Sequence, residues 1–151
     1  LIGSLRRRSI AASAPIAVSE MGTTALGKPI YVDRCASCHG EKGEDPKYFR
    51  LVGGHGSLAT DKPIRSIGSF WQYAATLWSY IRRAQPFDEP GSLTTDQVYA
   101  VTAYLLHLNG IIGEQDVIDA EALRLVKMPN RDGFVPDPRP DVGKAAKPPQ
   151  R

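Results

Sequence analysis

The sequence predicts an all-α domain folded around a large flat ligand, and three observations point there. Apolar residues recur at three-to-four spacing in separate stretches, the pattern of helices with one buried face. Residues 40–69, between two of these stretches, hold six glycines and two prolines, a loop too long for a small domain unless it packs on something. Trp71 and Trp78 then share one face of a predicted helix, as they would if they covered an extended apolar surface.

Composition sets the bounds. With 151 residues, 42% apolar and 23% charged, the chain suits one compact domain with tails. Its longest apolar stretch, 98–108, is interrupted by polar residues and falls short of the roughly 20 residues that cross a bilayer, so no membrane span is expected. The net charge of +3 hides a division: residues 20–121 carry nine basic and thirteen acidic side chains, and the two ends supply the basic excess. No basic stripe interleaved with aromatics appears, which argues against a nucleic-acid partner.

In chain order, residues 1–24 are rich in Ser, Ala and Arg without a period and read as an arm. Within it Arg6-Arg7-Arg8 precedes an apolar run too short and mixed for a signal peptide, so the expectation is that any such signal has been removed. From Gly27 the pattern becomes helical, with Pro29 suited to a first turn and Ile30, Tyr31, Cys35 and Cys38 on one face. Trp71, Ala74, Ala75, Trp78 and Ile81 predict a helix over 70–84. A third helix starts at Thr94, where Thr94 and Gln97 form a capping box and Leu93 with Val98 a hydrophobic staple. Its stripe is Val98, Val101, Leu105 and Leu108, and Asn109-Gly110 ends it. A brief helical segment over 119–126 and an extended Met128-Pro129 follow; from Pro136 onward there are five prolines in sixteen residues, too many for a packed core. The resulting division is an arm over 1–24, a domain over 25–112 and an extension over 113–151.

Both cysteines of the chain lie in Cys35-Ala36-Ser37-Cys38-His39, the attachment sequence for haem c. Two thiols at this spacing reach the two vinyl groups of one porphyrin, and the next histidine is held beneath the iron as an axial ligand. A structural zinc site would need a fourth ligand, with only His55 and His107 left as nitrogen donors. A thioredoxin-like pair would want a βαβ context that this sequence lacks, and a disulfide across two residues is strained. One haem c, bound through Cys35 and Cys38 with His39 on the iron, is therefore the reading.

Around this motif, residues 25–110 resemble the class I cytochrome c family, which implies that family's fold wrapped around one covalently bound haem. The resemblance makes Gly27-Lys28-Pro29-Ile30-Tyr31 the opening helix, with Gly27 letting the closing helix cross near Ala100, Ala103 and Tyr104. Over residues 25–142, the segments 68–78, 80–84, 106–111 and 127–134 are similar to the cytochrome subunit of bacterial sulfur-oxidising dehydrogenases, the SoxD-type sulfane dehydrogenases and their sulfite dehydrogenase relatives. The family usually takes its sixth iron ligand from a methionine just before the closing helix, where this chain has Gln85 in Ala84-Gln85-Pro86-Phe87. Met21 and Met128 are the methionines available, and Met128, which Pro129 holds out of helical geometry, is inferred to wrap back and ligate the iron. Met21, His55, His107, Lys127, Gln85 or an open position are the alternatives, and Met128 as a plain core filler is another. His107 is expected on the crossing or exposed face of its helix. Trp71, Trp78, Tyr73 and Tyr80 are expected to pack on the haem or in the core; Arg82 or Arg83 is a candidate partner for a haem propionate.

The expectation for function is electron transfer, with no catalysis by the chain itself. The resemblance implies a haem subunit that accepts electrons from a molybdoprotein dehydrogenase acting on sulfite or sulfane sulfur, whose catalytic centre lies on that partner. It also implies a downstream cytochrome or oxidase and a periplasmic location. A stand-alone periplasmic carrier, and a haem sensor or enzyme with an open iron, are the alternatives.

Overall fold

The computed structural model describes residues 20–137 and residue 139; the Arg6–Arg8 stretch of the arm and most of the proline-rich tail lie outside the described residues. Within them, five α-helices and one two-stranded ladder follow in the order β1 (Gly22–Thr23), α1 (Thr24–Arg34), α2 (Ala36–His39), α3 (Ala74–Ala84), α4 (Thr95–Leu108), β2 (Val117–Ile118) and α5 (Ala120–Leu125).

The helix α1 starts three residues before the predicted Gly27, because the Thr23 hydroxyl accepts the Leu26 amide and caps it. Pro29 consequently sits inside the helix. The carbonyl it leaves without a helical partner belongs to Ala25, which faces solvent, so water can take the missing place. Thr24, Gly27 and Tyr31 form the buried face of α1. It crosses α4 so closely that a Cβ placed on Gly27 would lie 1.9 Å from the Ala100 carbonyl oxygen and 2.8 Å from the Tyr104 Cβ. Gly22 meets the same point of α4: its Cβ would lie 2.0 Å from the Ala100 amide nitrogen.

The closing helix α4 carries the capping box that its sequence predicts, with Thr94 and Gln97 each accepting the other's backbone amide. It differs from prediction in burial. Every residue from Val98 to Leu106 is buried, so α4 is the central rod of the fold and not a helix with a single apolar stripe. Thr102 tolerates this position because its hydroxyl donates to the Val98 carbonyl at 2.7 Å. His107 is half-buried, not on an exposed face.

The helix α3 buries Ala74, Leu77 and Ile81 and begins four residues later than predicted. The reason is a contact from sixty residues away: the Phe70 carbonyl accepts the Asn130 side-chain amide at 2.9 Å instead of an amide one turn ahead, so residues 70–73 stay outside the helix. A ladder that the sequence did not announce pairs Gly22 with Ile118 and Thr23 with Val117, antiparallel. Asp119 caps α5 by accepting the amides of Glu121 and Ala122. Residues 40–69 contain little regular structure, as their glycines predict; Gly40, Gly43, Gly53, Gly54 and Gly56 all have positive φ.

Candidate haem site

The attachment sequence begins where α1 stops. Cys35 closes α1, its amide bonded to the Tyr31 carbonyl at 2.9 Å, and the chain then makes the single turn α2 that carries Cys38 and His39. The Tyr31 hydroxyl, on a side chain with no exposure, donates to the Gly40 carbonyl at 2.7 Å and fixes the far end of that turn. Both thiols are free, Cys35 half-buried and Cys38 exposed. Burial pushes the Cys35 thiol up to about 11, and the neighbouring Arg34 charge offsets this only in part. Burial likewise pushes the Tyr31 phenol above its ordinary range.

The His39 ring places Nδ1 3.1 Å from the carbonyl oxygen of Phe49. A carbonyl can only accept, so Nδ1 carries a proton, and in the neutral ring Nε2 then presents its lone pair. That is the arrangement in which a metal-binding histidine is held: the far nitrogen is free for the ion, and the near N–H is anchored and made more electron-donating. Phe49 is the one non-glycine residue with positive φ among the described residues, at 74°. Nothing in the sequence marked it, since every residue has a carbonyl.

Met128 is 3% exposed and belongs to the hydrophobic core. The segment after it is fastened to the residues before α3. Asn130 donates to the Phe70 carbonyl, Gln72 donates to the Arg131 carbonyl at 2.9 Å, and the Arg131 guanidinium lies 4.2 Å over the Tyr73 ring. Phe134 meets Phe70 edge-on at 5.3 Å. Met128 also lines an open cavity of about 600 Å³ together with Val126, Pro129 and Arg131. The segment that holds Met128 is tied to the glycine-rich loop through Ser66, whose carbonyl accepts the Phe70 amide and whose hydroxyl donates to the Gly53 carbonyl.

The other candidates are placed as follows. Met21 is 38% exposed beside β1, and Lys127 is exposed. Gln85 closes α3 and donates to the Tyr80 hydroxyl at 3.2 Å. His55 lies against Gly68, whose Cβ would come within 2.5 Å of its Nε2. Trp71 is half-buried with its ring 5.7 Å from that of Tyr80, and Trp78 packs 5.1 Å from Tyr99 of α4. The Trp78 indole N–H is buried without a hydrogen-bond partner. Arg82 donates to the Thr95 hydroxyl at 3.1 Å and lies over the Trp78 ring, while Arg83 donates to the Ser79 carbonyl of its own helix.

These residues fit a covalently held haem c: two free thiols one turn apart, a histidine with Nε2 available, and an orphaned indole donor of the kind a haem carboxylate would satisfy. They do not resemble a zinc site. Among the described residues no three His, Cys, Asp or Glu side chains converge as a metal-holding group.

Comparison with known proteins agrees with the geometry. The sequence model of the cytochrome c family matches residues 24–109. The solved structure of the sulfane dehydrogenase SoxCD from Paracoccus pantotrophus is similar at 40% identity and a TM-score of 0.76, over 79% of this chain and 59% of that one. The thiosulfate dehydrogenase of Psychrobacter arcticus is 28% identical over 85 residues. That match takes in 56% of this chain and 26% of the curated relative, so the chain spans about a quarter of that protein's length.

Proposed function

The chain belongs to the cytochrome c family and transfers electrons as a haem protein; on that premise we propose that it is the haem subunit of a sulfur-compound dehydrogenase. In this reading it takes electrons from a molybdenum-dependent partner that oxidises sulfite or sulfane sulfur and passes them to a downstream cytochrome or oxidase in the periplasm. Likeness to a protein titled sulfane dehydrogenase and to a thiosulfate dehydrogenase supports the dehydrogenase partner. Among the described residues no helix is long and apolar enough to cross a membrane.

Haem c supplies a one-electron iron couple when bound. The chain's own residues hold and tune it. Cys35 and Cys38 would form the two thioether bonds, and as the chain's two cysteines they would serve one haem. His39 would offer Nε2 to the iron, with the Phe49 carbonyl keeping the ring in place. Met128, from an extension fastened through Asn130 and Arg131, would offer its thioether to the iron and raise the potential relative to a second histidine. Trp71 and Trp78 would shield the haem from water, and Arg82 on α3 would pair with a propionate.

The His39–Phe49 contact carries this reading, because a histidine with one nitrogen anchored on a carbonyl, directly after two free thiols, has the arrangement an axial ligand needs. The test is acid-acetone extraction of the purified protein followed by a pyridine haemochrome spectrum. Haem should stay with the protein and give the c-type spectrum; release into the solvent overturns the assignment. Co-purification of a molybdoprotein tests the proposed partner.

A further inference from the structure

We propose that Asn109 is a positioning residue for His39: from the end of α4 it clamps the glycine-rich loop and so sets the hydrogen bond between His39 Nδ1 and the Phe49 carbonyl. The proposal rests on reading His39 as the iron ligand.

Asn109 is 5% exposed and uses its whole side chain on backbone groups. Its amide donates to the Leu51 carbonyl at 3.0 Å and to the Leu105 carbonyl of its own helix at 2.9 Å, while its oxygen accepts the Gly53 amide at 3.3 Å. Two acceptors and one donor around it fix which end is nitrogen. Helix termination needs none of the contacts to Leu51 and Gly53, because an exposed asparagine or glycine ends a helix as well.

The clamp acts two residues from the Phe49 carbonyl. Leu51 and Val52 donate their amides to the Gly43 carbonyl at 2.8 and 3.0 Å, and the Leu51 carbonyl also receives the Ile67 amide. Residues 51–53 are thereby immobilised against Gly43, Ile67 and Asn109. Phe49 and Arg50 have no comparable anchor, since both side chains are exposed, Phe49 at 84%. The left-handed turn at Phe49, and with it the aim of its carbonyl at His39, is therefore held from the Asn109 side of the loop. Gly68 completes the arrangement by leaving room for two neighbours: a Cβ there would lie 2.4 Å from the Asn109 side-chain oxygen and 2.5 Å from His55 Nε2, and Gly68 has no positive φ of its own to account for its being glycine.

A weaker Nδ1–H···O bond makes the imidazole a poorer electron donor to the iron, which destabilises the oxidised state. In Asn109→Ala holoprotein the His39 Nδ1 proton, followed by proton NMR, should exchange with solvent roughly tenfold faster, as the loss of one net hydrogen bond implies. The midpoint potential should rise. Gly68→Ala, which crowds Asn109 and His55 alike, should move both readouts in the same direction, whereas His55→Gln should leave them as in the wild type; the two together decide the matter if the first variant fails to assemble. Thr102→Val serves as the control, because it removes a buried hydrogen bond within α4 that does not reach the loop. It should lower stability and leave proton exchange and potential as in the wild type. Wild-type exchange and potential in the asparagine and glycine variants, or equal shifts in the threonine variant, would falsify the positioning role. Failure of the underlying reading shows separately, as a wild-type holoprotein whose His39 ring signals carry no haem-induced shift.

Discussion

Phe49 pays for its left-handed backbone with about 1–3 kcal/mol of local strain, and its exposed ring recovers little of that by packing. The return is a carbonyl aimed at His39. Met128 is the opposite kind of residue: ordinary backbone, 3% exposed, and tied into the core by its neighbours. As the proposed sixth ligand it carries a distinctive expectation. Met128→Ala should abolish the weak far-red band of iron–thioether bonding and lower the midpoint potential. It should also cost more than the about 2–5 kcal/mol of a simple core truncation, because the bond between extension and haem is lost too. Unfolding by denaturant and redox titration measure the two effects. A variant with the wild-type spectrum and potential moves the ligand elsewhere, with Gln85 next in line.

Among the elements, the crossing of α1 over α4 is the tightest, and it is backbone against backbone at Gly27 and Ala100. In a free helix Gly→Ala would gain about 1 kcal/mol of propensity. Here Gly27→Ala should instead lose about 1–3 kcal/mol or more in denaturant unfolding, since a Cβ 1.9 Å from a main-chain oxygen forces the helices apart. Gly113→Ala, whose Cβ would meet nothing closer than 3.4 Å, should stay within about 0.5 kcal/mol of the parent. How far these elements could be read from sequence followed from how local their signals are. The start of α4 was legible because Thr94 and Gln97 cap it within four residues. The start of α1 was not, because Pro29 is a strong first-turn signal and it outweighed the Thr23 cap before it. The ladder of β1 and β2 was invisible, two-residue strands having no period to read. At the site the same division holds. Cys35, Cys38 and His39 announce themselves in five residues, whereas the Phe49 carbonyl and the reach of Asn109 to Leu51 and Gly53 exist only after folding.

Taken whole, the molecule is a compact helical body whose ends differ from it in composition: a Ser-, Ala- and Arg-rich arm and a proline-rich tail, both basic. Neither has the apolar content to form a core alone, which suits segments that make their contacts on a larger partner. Removing residues 1–19 and 140–151 should therefore weaken binding to the proposed dehydrogenase partner while the visible spectrum stays nearly intact. Surface plasmon resonance beside an absorption spectrum checks both halves, and unchanged affinity of the trimmed protein counts against the idea.

The burial of Cys35 has a consequence for how the protein is made. A thiol pushed up to about 11 is almost wholly protonated at neutral pH, and only the thiolate is a good nucleophile. If Cys35 is a thioether anchor, its bond to the porphyrin forms most readily while α1 is still clear of α4 and the sulfur still in water. Biogenesis is then favoured in one order, with the cofactor joined to a chain not yet collapsed and the fold closing over that linkage.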